Sequence, residues 1–227
     1  MLKNLLNLLF PKLCAGCNGL LLQHEATICI SCRHDLPFTQ HHHLQHNYTT
    51  KKFYGIIPVE FCASMLYFHK DGIVQNLIHN LKYKNHQEIG TLLGNWCAED
   101  LKDIQKKYGF TDIIPVPLHK KRFEERGYNQ VHTFCETLAK NLEINYNSTL
   151  LIRNFYSKTQ TKKNKEQRSK GTASLFDVKY TPADCGKHIL LIDDVITSGA
   201  TLQACAKALL KIPNVKISIY TIAYTDS

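Results

Sequence analysis

What this chain lacks narrows it first. None of its 227 residues form an uninterrupted apolar run of the ~18 needed to cross a bilayer as a helix, so no spanning helix is expected. Proline and glycine are scarce, at seven and eleven, which excludes collagen-like and linker-dominated chains. No segment repeats itself at a period of about 20–50 residues, so a solenoid is set aside. Acidic residues are few, 19 against 28 Lys and Arg. The resulting net charge of +9 speaks of an anionic partner: nucleic acid, a phosphorylated metabolite or an anionic lipid surface.

What is present is a 44% apolar composition, enough for a core. The length suits one principal domain with a small appendage. The excess charge is concentrated. Residues 118–170 hold twelve Lys and Arg against five Glu, so seven of the nine excess charges sit there.

Along the chain, Leu2, Leu5, Leu6 and Leu9 share one helical face before Pro11. That stretch reads as a cap on the body, or else as a peripheral foothold at the inner membrane. No secretory cleavage site follows it, so a cytoplasmic chain with reduced thiols is expected. Residues 1–36 are then an N-terminal helix and cysteine unit. Residues 37–52, with His41, His42, His43 and His46 among Thr, Gln and Asn, read as a polar linker. Residues 53–110 form a hood or N-terminal part of the body, with one or two strands over 53–68 and two helical stripes after them. Residues 111–227 alternate strand and helix, which argues for a parallel α/β sheet. The polar stretch 155–172 is long enough to be a lid.

Three constellations carry chemistry. In the first, the buried strand Ile189-Leu190-Leu191-Ile192 ends in Asp193 and Asp194, and the turn Thr197-Ser198-Gly199-Ala200-Thr201 opens the next helix. Ligands of open α/β sheets bind at that strand edge. Backbone amides at a helix start favour phosphate, and a glycine lets the backbone approach an oxygen closely. Paired carboxylates suit a sugar diol, a magnesium ion, or both.

In the second, Pro115-Val116-Pro117-Leu118-His119 leads into Lys120, Lys121, Arg122 and Arg126, with Asn129 expected to cap a helix beginning near Gln130. In the third, Cys14, Cys17, Cys29 and Cys32 form two Cys-x2-Cys knuckles, the spacing of a closed structural zinc site. An iron–sulfur cluster or a redox pair is the alternative. The other five cysteines read as small core residues. His79, Lys82, Tyr83 and Lys84 sit at a helix end, where cations complement the dipole or meet a phosphate.

The first segment resembles the phosphoribosyl-pyrophosphate loop of type I phosphoribosyltransferases. The resemblance implies that Asp193 and Asp194 meet the ribose diol. It implies that Thr197, Ser198, Gly199, Ala200 and Thr201 hold the 5′-phosphate, and that magnesium accompanies phosphoribosyl pyrophosphate. Lys120, Lys121, Arg122 and Arg126 are then the pyrophosphate grip.

The string Pro-Val-Pro-Leu-His…Arg-Gly-Tyr-Asn-Gln, with Leu77–Tyr83 upstream, resembles the ComF family, phosphoribosyltransferase-fold proteins linked to DNA uptake in bacterial competence. By that resemblance Lys158, Thr159, Gln160 and Arg168 belong to a mobile loop closed by Phe176, although Gly171 stands where the family has Asn. The expected fold is therefore α/β, of the type I phosphoribosyltransferase kind, with a small four-cysteine zinc unit. The implied function is binding of phosphoribosyl pyrophosphate or phosphoribose together with single-stranded DNA, alongside competence-machinery proteins. A nucleobase phosphoribosyltransferase of nucleotide salvage and a zinc-knuckle adaptor that senses a nucleotide are the alternatives.

Overall fold

The longest continuous apolar run at a strand position, around Ile189, builds the centre of the molecule. A strand buried on both faces has no need of alternation. The structure, a computed structural model, describes residues 11–154 and 175–226. The run forms β6 (His188–Ile196), flanked by β7 (Lys216–Tyr224) and β2 (Asp112–Pro115). With β1 (Cys62–Tyr67) and β3 (Asn145–Tyr146) at the edges, the sheet order is β1-β7-β6-β2-β3 and every pairing is parallel. A separate antiparallel pair joins β4 (Leu151–Arg153) to β5 (Phe176–Val178). The expected parallel α/β sheet flanked by helices is present.

Alternate side chains of the strands feed two cores. Leu190, Ile192, Ile113 and Tyr220 pack with α3 (Ile73–Tyr83), α4 (Glu88–Tyr108) and α6 (His132–Leu142). Ile189, Leu191, Ile114 and Ile219 pack with α7 (Ala200–Leu209) on the other face. Each of these buried side chains is worth roughly 1.5–3 kcal/mol against exposure. Helices α4 and α6 approach so closely that a Cβ on Gly90 would lie 2.2 Å from Thr133 Oγ1, and one on Gly94 would lie 3.0 Å from the Phe134 carbonyl.

Three expectations need correction. Residues 37–52 are folded against the sheet and are no loose linker. Thr39 donates to the Ser64 carbonyl, and Asn47 donates to the Cys62 carbonyl at 2.8 Å. After α1 (Ile30–His34) of the cysteine unit, this stretch also holds a 3-10 turn (His41–His43) and α2 (Tyr48–Lys51). The buried Thr39, Asn47 and Thr49 each find hydrogen-bond partners inside, the condition under which burial is tolerated.

Of the one or two strands expected over 53–68 one forms, and Phe53 is a buried anchor before it. Helix α6 begins at His132, after Val131, while Asn129 accepts from Val131 N at 3.2 Å and donates to the Val116 carbonyl at 2.9 Å, tying the loop to the strand end. Cys62, Cys97, Cys135 and Cys205 are buried as expected, whereas Cys185 is exposed. The apolar stripe at residues 2–10 and the loop 155–172, with Lys158, Thr159, Gln160 and Arg168, lie outside the described residues.

Candidate functional site

The C-terminal edge of β6 brings the acid pair to the open end of the sheet. Each carboxylate takes a hydrogen bond from the next backbone N–H: Asp193 from Asp194 at 2.9 Å, and Asp194 from Val195 at 2.7 Å. Asp194 is buried and Asp193 half-buried. Burial and the neighbouring Asp194 charge push the Asp193 carboxyl well above the usual carboxylate range.

Asp194 is not alone. Lys82, in the last turn of α3, lies 2.5 Å from its Oδ2, and Gln130 donates to the same oxygen at 3.2 Å. Gln130 in turn accepts from Arg126 at 2.7 Å, and the Arg126 guanidinium stands 4.9 Å over the Tyr83 ring. Arg126 therefore connects to the acid pair through one side chain. Lys120, Lys121 and Arg122 are exposed on α5 (Lys120–Arg126), a short helix with no buried residue. Lys120 and Lys121 face Glu124 and Glu125 at 3.7 and 3.8 Å. Exposed pairs of this kind contribute only ~0–1 kcal/mol, so these cations stay available to an anion.

Beyond the acids, the chain turns into α7. Gly199 takes φ +79° at the cap, a left-handed conformation that a side chain would strain. A Cβ there would meet Lys52 Cβ at 3.3 Å, so the 47–53 segment backs the turn from behind. Thr197, Ser198, Ala200 and Thr201 surround that glycine, and Thr197, Ser198, Ala200 and Thr201 reach solvent at the mouth of the turn. The first-turn amides of a ten-residue helix thus open beside two acids.

The four-cysteine unit packs along α3, from Ile73 to Asn80. The four Sγ atoms of Cys14, Cys17, Cys29 and Cys32 lie within 4.8 Å of one another, and those of Cys17 and Cys29 are 3.8 Å apart. A tetrahedral ion with metal–sulfur bonds near 2.3 Å needs sulfur–sulfur edges of about 3.8 Å, so the donor set could hold a metal ion of that size. Burial raises the Cys14 thiol, but backbone N–H groups of Cys29, Cys17 and Gly16 outweigh it and bring the thiol down to about 7.

The unit is pinned to the body. Asn76 donates to the Gly16 carbonyl at 2.7 Å and Asn80 to the Ala15 carbonyl at 2.8 Å. Helix α3 therefore contacts both the cysteine knuckle and the acid pair, and its Leu81 carbonyl also accepts from Tyr128 of the basic segment at 2.7 Å. Sequence reasoning put Lys82 at a helix end but missed its partner. A pair so distant in sequence has no local signature, and only the packing of α3 against the end of β6 creates it.

No family model matches the chain. Among curated proteins, Competence protein ComFC of Bacillus subtilis is 38% identical over 146 residues, 64% of this chain and 57% of that protein. DNA utilization protein YhgH of Escherichia coli (strain K12) is 26% identical over 66% of each chain. Competence protein F of Haemophilus influenzae is 27% identical over 65% of this chain and 66% of that one. The chain thus spans about 57–66% of the length of these relatives.

Solved structures with some likeness include glutamine phosphoribosylpyrophosphate amidotransferase of B. subtilis, with a TM-score of 0.40, 16% identity and coverage of 63% of this chain and 30% of that one. Purine phosphoribosyltransferase of Pyrococcus horikoshii has a TM-score of 0.38 and 15% identity over 60% of this chain and 84% of that one. Scores this low carry no argument; the fold rests on the strand order and parallel register described above. Over about two thirds of its length the chain is similar to bacterial competence and DNA utilization proteins.

Proposed function

We propose that the end of β6 and the start of α7 bind a phosphoribosyl ligand, phosphoribosyl pyrophosphate or phosphoribose, and that the chain works with single-stranded DNA during DNA uptake. The observation that carries the first half is the acid pair followed within five residues by a left-handed Gly199 that opens a helix at the sheet edge. Asp193 and Asp194 accept the ribose hydroxyls. The amides of residues 198–201 and the hydroxyls of Thr197, Ser198 and Thr201 hold the 5′-phosphate, where the helix dipole favours negative charge.

Lys82 has a part in this. The Asp194 carboxylate repels a phosphate-bearing ligand, and the lysine offsets its charge before the ligand arrives. Asp193 and Asp194 also suit magnesium, which takes one or two carboxylates together with substrate phosphates and would neutralise pyrophosphate oxygens. Lys120, Lys121 and Arg122 are the cations nearest in sequence to the β2 edge for that pyrophosphate. Zinc is the ion proposed for Cys14, Cys17, Cys29 and Cys32, with a structural role because four thiolates leave no open position.

For DNA, the support is the +9 charge and its concentration in residues 118–170. Among the described residues no helix is long and apolar enough to cross a membrane. The test is calorimetric titration with phosphoribosyl pyrophosphate and magnesium. Asp194→Asn is expected to weaken binding at least tenfold while the circular dichroism spectrum is kept; equal affinity would overturn the assignment.

A further inference from the structure

A cavity of about 500 Å³ opens beside this site, and of its lining only Lys120 enters the assignment above. It lies past the end of β2, between α5, the first turn of α6 and the end of β3. Pro115, Pro117, Phe123, Tyr128, His132 and Tyr146 form its walls. Its size and mostly apolar lining are those of a small-ligand site. Its position is also that of a ligand site, because β2 pairs with β6 and Pro115 is level with Ile192, one residue before Asp193.

The wall chemistry selects a planar guest. Four of the six rings are aromatic, and the Phe123 side chain is 51% exposed on a helix that buries none of its residues. The His132 ring is fixed: its Nδ1 meets Tyr146 Oη at 2.8 Å and its Nε2 lies 3.3 Å from Glu136. A ring held from both nitrogens is a preorganised flat wall. Ser148 and Asn129 add polar edge contacts, and Lys120 stands at the lining with its charge. A bare phosphate would waste the rings, and an aliphatic chain would leave the polar edge unused. A flat heterocycle with hydrogen-bonding edges and an attached phosphate uses all three.

We propose that this cavity is a nucleobase subsite, with Phe123 stacking on the base and Lys120 meeting its phosphate. The base comes from a nucleic-acid strand or from a free nucleotide. For a strand, the inference rests on the DNA half of the proposed function; for a free nucleotide it stands by itself.

The test compares the wild-type full chain with Phe123→Ala and Phe123→Trp. The probes are a labelled twelve-nucleotide oligothymidylate, an abasic strand of the same length, and thymidine and adenosine monophosphates. Stacking is worth roughly 1–3 kcal/mol per base, so Phe123→Ala is expected to weaken the oligothymidylate about tenfold. Phe123→Trp restores the affinity, and the abasic strand is unaffected. A response confined to the monophosphates assigns the base to a free nucleotide, and one confined to the strand assigns it to nucleic acid; both support the subsite. Equal binding of every base-bearing probe to wild type and Phe123→Ala overturns it. So does an equal loss for the abasic strand, or no binding of any base-bearing probe to the wild type. Phosphoribosyl pyrophosphate affinity of the wild-type chain, measured alongside, stands or falls separately.

Discussion

Asp193, a binding group in the proposed function, sets itself against stability. Its carboxyl resists ionisation because of burial and the charge of Asp194. In the unfolded chain it ionises near pH 4. Below that pH both states are protonated and the residue costs nothing. As pH rises, the unfolded chain releases its proton while the folded chain keeps it, so stability falls. Asp193→Asn keeps an oxygen for the Asp194 amide and removes the penalty. The variant is expected to gain about 1–2 kcal/mol in urea unfolding at pH 7.5, with the gain shrinking towards pH 4.5. A loss of stability at pH 7.5 would contradict this.

The acid pair was legible residue by residue because a continuous apolar run, two acids and a hydroxyl-glycine turn are all local. His41 was not. It is fully buried, with Nδ1 3.1 Å from Thr49 Oγ1, and burial together with the His42 charge lowers it to about 4. A histidine run among polar residues reads as solvated, since nothing in its spacing announces the partners Thr49 and Ser64 that make burial tolerable.

At the scale of the element, α3 is the connection that matters. Asn76 and Asn80 hold the cysteine knuckle along the helix, and Lys82, two residues past Asn80, presents its charge to Asp194. Its apolar stripe of Val74, Leu77, Ile78 and Leu81 was readable from helical spacing, as was the knuckle from the Cys-x2-Cys pattern. That the two dock on each other was not readable, because it depends on carbonyls of residues 15 and 16 meeting amide side chains 65 and 60 residues away. The consequence is coupling. Asn80→Ala leaves a buried carbonyl unsatisfied and is expected to cost about 1–3 kcal/mol in thermal unfolding. Removing metal with a chelator is expected to weaken phosphoribosyl pyrophosphate binding severalfold while the sheet's far-UV signal persists. Unchanged affinity after verified metal loss would show that the two contacts of α3 act independently.

For the whole molecule, charge and topology divide the work. The sheet order puts the acid edge of β6 next to the basic segment after β2, so a ligand of mixed sugar and phosphate character meets both. The four cations Lys120, Lys121, Arg122 and Arg126 should contact about four phosphates of a single strand, giving a slope of log affinity against log salt of about −3. Replacing Lys121 and Arg122 with Gln should reduce that slope by about 1.4, read by anisotropy over a salt series; an unaltered slope would move the DNA contact elsewhere.

The most direct measurement is a crystal structure with ribose 5-phosphate. The account predicts its phosphate on the amides of residues 198–201 and its hydroxyls against Asp193 and Asp194, with Lys82 still at Asp194. A sugar phosphate bound elsewhere, with that corner empty, would contradict it.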